Sequence, residues 1–159
     1  MKSVIALLLA AATLAPFAVQ AAPAAPWGHA QALDIQYQPH KVVYDVTTGK
    51  RAALSDVLDR LALLDKLYGA DPFAERIEVV LHGKAIPYFA LRNYGKYTEL
   101  MKRAEGLTQN GTIVFRMCQA SARAHYGLDA ADIQGFVKMV PMADAEIIRR
   151  ESQGYAYMR

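Results

Sequence analysis

Two side chains in this sequence combine reactive chemistry with a position that a fold can exploit: Cys118, the only cysteine, and His82. A thiol acts as a nucleophile in its thiolate form. A nearby imidazole helps in one of two ways, as a cation that favours the anion or as a neutral base that takes the proton. Each of the two residues closes an apolar run. His82 ends RIEVVLH (Arg76 to His82) just before Gly83, and Cys118 follows TIVFRM (Thr112 to Met117). After Cys118 comes QASARAHY (Gln119 to Tyr126), which contains no β-branched residue and stops at Gly127. The pattern predicts a buried strand that delivers the cysteine to the mouth of a helix. Ligands collect at the carboxyl ends of parallel strands, and the free amides of a helix start favour an anion such as a thiolate. Each residue also has a plainer reading. A lone cysteine in an apolar run is commonly a small buried hydrophobe, and His82 can simply bond the turn at Gly83.

Other residues join this candidate site by position. Arg116 lies two residues before Cys118, so in a strand it projects from the same face, roughly 6–7 Å away. A charge in a buried strand needs a partner, either a carboxylate across a subunit contact, which is the preferred expectation, or the thiolate itself. Lys84 beside Gly83 can raise the positive potential of the rim or be merely solvated. Gln119 and Ser121 in the first helical turn, with Gly83, complete the candidate binding set. No metal is expected, because His82, His125 and Cys118 lack CxxC, HxxxH or paired-carboxylate spacing. No cofactor is expected either. Thr47-Thr48-Gly49-Lys50 is too short and glycine-poor for a phosphate loop, and GxSxG is missing. Met117, Met139 and Met142 read as core filler.

The elements that must position these residues follow from the rest of the chain of 159 residues. Residues 1–21 carry Lys2, an apolar run and Val19-Gln20-Ala21, the pattern of a cleaved secretory signal, which places the mature protein in the periplasm or outside the cell with no membrane anchor after cleavage. Residues 22–39 are rich in Ala and Pro and read as an arm or linker. Cleavage leaves a mature chain of about 138 residues, arm included, the size of one domain. The formal net charge of +3 includes Lys2, and the basic residues form no run, so nucleic acid is not an expected partner. A single cysteine in an exported chain permits no internal disulfide; Cys118 is buried, free and reactive, or paired with another chain. Strands are expected at His40 to Val46, Arg76 to His82, Thr112 to Met117, Phe136 to Val140 and Tyr155 to Met158. Helices are expected at Ala52 to Tyr68, Ala85 to Arg92, around Tyr97 to Ala104, at Gln119 to Tyr126 and at Ala143 to Gln153. Asp56 and Arg60 are expected to pair across one turn. Alternating strands and helices imply an α/β fold, a three-layer α/β/α sandwich around a mostly parallel five-stranded sheet. Tyr88, Tyr94, Tyr97, Tyr155 and Tyr157, with Arg116, suggest an interface.

Several of these segments carry a resemblance. Leu81-His82-Gly83, Met117-Cys118 followed by Ser121 and Gly127, Val140-Pro141, and the terminal Gly154-Tyr155-Ala156-Tyr157 make the domain from residue 40 to 159 similar to the DsrE/DsrF-like (DsrEFH) family. That resemblance implies a flavodoxin-like five-stranded parallel sheet and homo-oligomers, trimeric or hexameric. It also implies sulfur relay through a cysteine persulfide, a role that maps onto Cys118 and calls for sulfur donor and acceptor proteins as partners. The chain departs from the family where Gln119-Ala120-Ser121 follows the cysteine, and in being exported. The implied function is an exported sulfur carrier or sulfurtransferase relay. The alternative is a non-catalytic oligomeric module, for assembly or for small-ligand binding, with a structural cysteine.

Overall fold

Each strand carries the apolar run that a doubly covered sheet requires. In the computed structural model, which describes residues 26–74 and 76–159, β1 (Lys41–Val46), β2 (Arg76–Leu81), β3 (Ile113–Cys118), β4 (Val137–Val140) and β5 (Ala156–Met158) form one sheet in the order β4-β3-β2-β1-β5. All four pairings are parallel, which sharpens the expectation of a mostly parallel sheet. The helices between them are α1 (Arg51–Tyr68), α2 (Tyr94–Gly106), α3 (Gln119–Tyr126) and α4 (Ala143–Ser152). The signal segment 1–21 lies outside the described residues. Residues 26–35 group apart from Gln36–Arg159 and are exposed, without regular secondary structure.

The strand order determines which helix covers which face. From β1 to β4 the chain steps always in the same direction, and right-handed crossovers put α1, α2 and α3 on one side; the last crossover returns past β1 to β5 and puts α4 on the other. Two apolar clusters reflect this division. The larger joins Val42, Tyr44, Ile77, Val79, Ile113 and Phe115 to Leu54, Leu58 and Leu61 of α1 and to Leu100 and Met101 of α2. The smaller joins Val43, Val80 and Cys118 to Ala143 and Ile147 of α4, with Tyr155 against it. Alternation along a strand explains the split: Val42 and Tyr44 face one way, Val43 the other. Cys118 thus belongs to the α4 face.

Several local expectations are corrected. The segment expected as one helix at Ala85 to Arg92 is instead two 3-10 helices, Gly83–Phe89 and Leu91–Asn93. Pro87 sits inside the first, where its missing amide and its ring oppose an α-helix. A further short 3-10 turn, Ala130–Asp132, closed by a capping box from Asp129, was not expected. Arg60 does not pair with Asp56; its guanidinium carbon lies 5.9 Å from the centre of the Tyr44 ring. Burial raises the Tyr44 phenol above its ordinary pKa, and the Arg60 charge works against that rise.

The most consequential correction concerns Arg116. It finds carboxylate partners within its own chain, on β2 and α4, where a carboxylate across a subunit contact was the preferred expectation. Arg116 Nε donates to Glu78 Oε2 at 2.6 Å and lies 3.3 Å from Glu146 Oε1. Arg150 reaches the same two carboxylates, at 3.3 Å to Glu78 and 2.8 Å to Glu146, and Arg149 donates to Glu146 at 2.7 Å. Glu78 and Glu146 are buried. Together these five side chains clamp α4 onto β2 and β3. Burial pushes the Glu146 carboxyl upward, but hydrogen bonds from Arg149 and Arg150 and the charges of Arg150 and Arg116 outweigh it, so its pKa is held below the ordinary value.

Candidate functional site

The candidate site lies on the carboxyl rim of the sheet, where β2 and β3 are neighbours in register, Leu81 opposite Met117. His82 therefore follows Leu81 just as Cys118 follows Met117. The His82 backbone amide still bonds Val46 O of β1 at 3.1 Å, so the strand ladder extends to this residue before the chain turns. Cys118 ends β3 and caps α3, its sulfur accepting the Ser121 amide at 3.4 Å. A neutral thiol gains little from that contact, whereas a thiolate there gains the charge-assisted bond from the Ser121 amide and the positive end of the α3 dipole.

His82 and Cys118 line one open cleft of about 290 Å³. Ala120, Ser121, Ala124 and His125 of α3 form one side, and Met142, Ala143 and Asp144 at the start of α4 the other. The Ala120 amide bonds Pro141 O at 3.1 Å, joining the two turns beneath the cleft. Cys118 has 5% of its surface exposed. It packs with Val43, Val80, Ala143 and Ile147 and also lines the cleft.

The other expected site residues divide between support and periphery. Gly83 acts through its backbone: its amide donates to Ser121 Oγ at 3.2 Å, and its carbonyl accepts from Tyr126 OH at 2.9 Å. With φ at +54° it adopts a left-handed conformation that suits glycine. Ser121 thereby ties the turn after β2 to the first turn of α3, and both its hydroxyl and its amide are engaged. Gln119 is partly buried and is not part of the cleft lining. Lys84 is exposed and lies over Gly49, so close that a Cβ built on Gly49 would sit 2.9 Å from Lys84 Cβ. Arg116 is held in the ion-pair cluster described above.

Two residues that sequence reasoning did not place in the site stand beside His82. Asp45 Oδ1 is 2.6 Å from His82 Nε2, and Tyr157 OH donates to Asp45 Oδ2 at 2.8 Å. The Asp45 side chain is 14% exposed and that of His82 23%, so this contact is shielded from much of the solvent. The hydrogen bond to Asp45 holds the Tyr157 phenol above its ordinary pKa of 10.0. The only sequence signal for Asp45 was a polar residue near the end of HKVVYDV, the same kind of position that drew attention to His82. The tyrosines expected at an interface are largely engaged within the chain. Tyr88 OH bonds Gly49 O at 2.7 Å and its ring lies 4.6 Å from that of Tyr97, while Tyr155 OH meets Arg150 at 3.3 Å.

Among the described residues, no three His, Cys, Asp or Glu side chains are grouped to hold a metal ion, and no helix is long and apolar enough to cross a membrane. Chemically, the cleft offers one nucleophile, one carboxylate-bound imidazole and the amides of a helix start.

No family model matches this chain, and no curated protein matches it. Among solved structures, it is similar to MTH1491, a protein of unknown function from Methanobacterium thermoautotrophicum. The similarity covers 76% of this chain and 98% of that one, at 23% sequence identity and a TM-score of 0.60. At that identity the likeness establishes the fold, an α/β sandwich around a parallel sheet, and nothing about chemistry.

Proposed function

We propose that this is an exported DsrE-like protein in which Cys118 accepts sulfane sulfur from a persulfide donor and passes it to a thiol acceptor. It works as a carrier more than as a turnover enzyme. The observation that carries this reading is the placement of Cys118 and His82 on one open cleft, at the ends of adjacent strands, with the sulfur at the start of α3. The exchange conserves atoms and electrons. Cys118 sulfur attacks the outer sulfur of R–S–SH, the S–S bond of the donor breaks, and R–S⁻ leaves; the Cys118 proton ends on R–SH. Passing the sulfur to an acceptor thiol is the same step in reverse. Persulfide chemistry of this kind needs a thiolate and no resident cofactor. The mature protein is a homo-oligomer, trimeric or hexameric, outside the cytoplasm.

Incubation of the mature protein with polysulfide, followed by intact-mass measurement, tests the reading. An added sulfur of about 32 Da is expected on the wild type and not on Cys118→Ser, since only the thiolate carries the sulfur. Absence of the added mass from the wild type sinks it.

The low exposure of Cys118 supports a second reading, that of a binding or assembly module whose cysteine is structural. Alkylation separates the two. A carrier is labelled in its native state by a small reagent at neutral pH, whereas a structural cysteine is labelled only after denaturation.

A further inference from the structure

Across the carboxyl rim, four side chains follow the strand order of the sheet: Tyr157 on β5, Asp45 on β1, His82 after β2, and Cys118 at the end of β3. The first three are joined by hydrogen bonds of 2.8 and 2.6 Å, and the last two share the cleft. Aspartate is disfavoured in strands and costs free energy to desolvate, yet Asp45 sits in β1 with its two oxygens directed to Tyr157 and His82. A residue needed only to finish the strand would do better as Thr or Val.

We propose that Asp45 is a positioning residue: braced by Tyr157, it holds His82 with the proton on Nε2, so that Nδ1 is the nitrogen that takes the Cys118 proton as sulfur is transferred. This deepens the sulfur-carrier reading and rests on it for the transfer step, though not for the tautomer.

The chemistry follows from the acceptor character of the carboxylate. An ionised carboxylate can only accept, so the neutral imidazole bonded to it through Nε2 must carry its proton there and keep its lone pair on Nδ1. When the Cys118 sulfur bonds to the outer sulfur of the donor, the thiol proton moves to Nδ1 and the imidazolium lies against the Asp45 carboxylate. As the donor S–S bond breaks, the proton passes from Nδ1 to the departing sulfur, so the imidazole is regenerated and no oxidant or reductant is consumed. The carboxylate stabilises the transient cation and prevents the ring from turning its N–H toward the thiol. The charged or titratable groups around His82 are Asp45 and Tyr157 on its bonded side, with Arg60 and Arg159 lining the cavity beyond Asp45, Cys118, His125 and Asp144 along the cleft, and Lys84 two residues on in the chain. Of these, only Asp45 makes a hydrogen bond to the ring.

The test reads the tautomer and the transfer rate separately, on the full mature chain. The chain has four histidines, so ¹⁵N spectra of the imidazoles are assignable by comparison with His82→Gln. The wild type is expected to show His82 protonated on Nε2 in its neutral form, and Asp45→Asn to show a shifted tautomer population. In single-turnover persulfidation with polysulfide across pH, Asp45→Asn is expected to slow sulfur uptake roughly 100-fold near neutrality and to move the pH profile, in line with the weight of a positioned general base. Asp45→Glu is expected to recover part of the rate, and Tyr157→Phe to lose less than about 10-fold. A wild-type His82 protonated on Nδ1 overturns the proposal whether or not the variants fold. So does an unaltered tautomer and pH profile in Asp45→Asn. A wild type that takes up no sulfur refutes the carrier reading instead, and the spectra still decide the role of Asp45.

Discussion

Replacing Glu78 by Gln probes the ion-pair cluster beneath the site, and its effect can be argued from charge and geometry. The cluster holds three guanidiniums, Arg116, Arg149 and Arg150, against two carboxylates, Glu78 and Glu146. The Glu78 side chain is 3% exposed, and Arg116 and Arg150 both depend on it, at 2.6 and 3.3 Å. Glu78→Gln keeps the shape and leaves no cavity, so its cost isolates the lost charge. Two guanidiniums, 18% and 10% exposed, are then left to share Glu146 with Arg149. Breaking a buried pair costs about 3–5 kcal/mol; because Glu146 still reaches both arginines, about 3 kcal/mol is expected here. Arg116→Met removes a cation from a cluster with one in excess, leaves each carboxylate an arginine, and should cost only about 1 kcal/mol. The double variant Glu78→Gln/Arg116→Met should then be no worse than Glu78→Gln alone, a favourable coupling between neighbours. Urea denaturation measures this. With a slope of roughly 1–3 kcal/mol per molar, the midpoint of Glu78→Gln falls by about 1–3 M and that of Arg116→Met by about 1 M or less. An Arg116→Met more damaging than Glu78→Gln refutes the reasoning. So does one that dissociates an oligomer without lowering stability, which would place the true partner of Arg116 in another chain.

Further outcomes follow from the same structure. Because the folded pKa of Glu146 lies below its ordinary value of 4.5, its contribution to stability is complete above that value and is lost as pH falls through the depressed folded pKa; acid titration of stability in wild type and Glu146→Gln should differ in that window. The raised pKa of Tyr157 acts in the opposite sense, favouring the folded state below pH 10 and losing that effect as pH rises through the folded value; ultraviolet titration should show the phenolate appearing at lower pH in Asp45→Asn than in wild type. Gly83→Ala meets only ordinary contact, with Thr47 Cβ at 3.8 Å, so thermal or urea unfolding should report just the left-handed backbone cost of about 1–2 kcal/mol. Leu58→Ala, buried between α1 and the sheet, should cost about 2–5 kcal/mol in the same assay. For the compartment and assembly, the native mature protein should begin at Ala22 or Pro23 by N-terminal sequencing and scatter light as a trimer or larger at micromolar concentration; intact Met1 in membranes, or a clean monomer, would contradict these expectations.

What the sequence determined is what local physics encodes. Alternating apolar runs and helical periodicities located all five strands and α1 to α4 to within a few residues, because burial on a sheet and burial along a helix leave different spacings in the chain. Gln119–Tyr126 needed only its lack of β-branched residues and the stop at Gly127, where φ is +62°. The location of Cys118 at a strand end and helix mouth was legible for the same reason. What the tertiary structure decided is every relation between residues distant in sequence. Arg116 was recognisable as a charge in need of a partner, but Glu78 and Glu146 were not recognisable as that partner until β2 became the neighbour of β3 and α4 crossed behind them. Asp45 and Tyr157 lie 112 residues apart in the chain, and one hydrogen bond brings them together only because the last crossover returns past β1. Side-chain types and spacing specify which face a residue occupies. Strand order and register specify which residues meet on that face, and those are set by the packing of the whole sheet rather than by any segment of it.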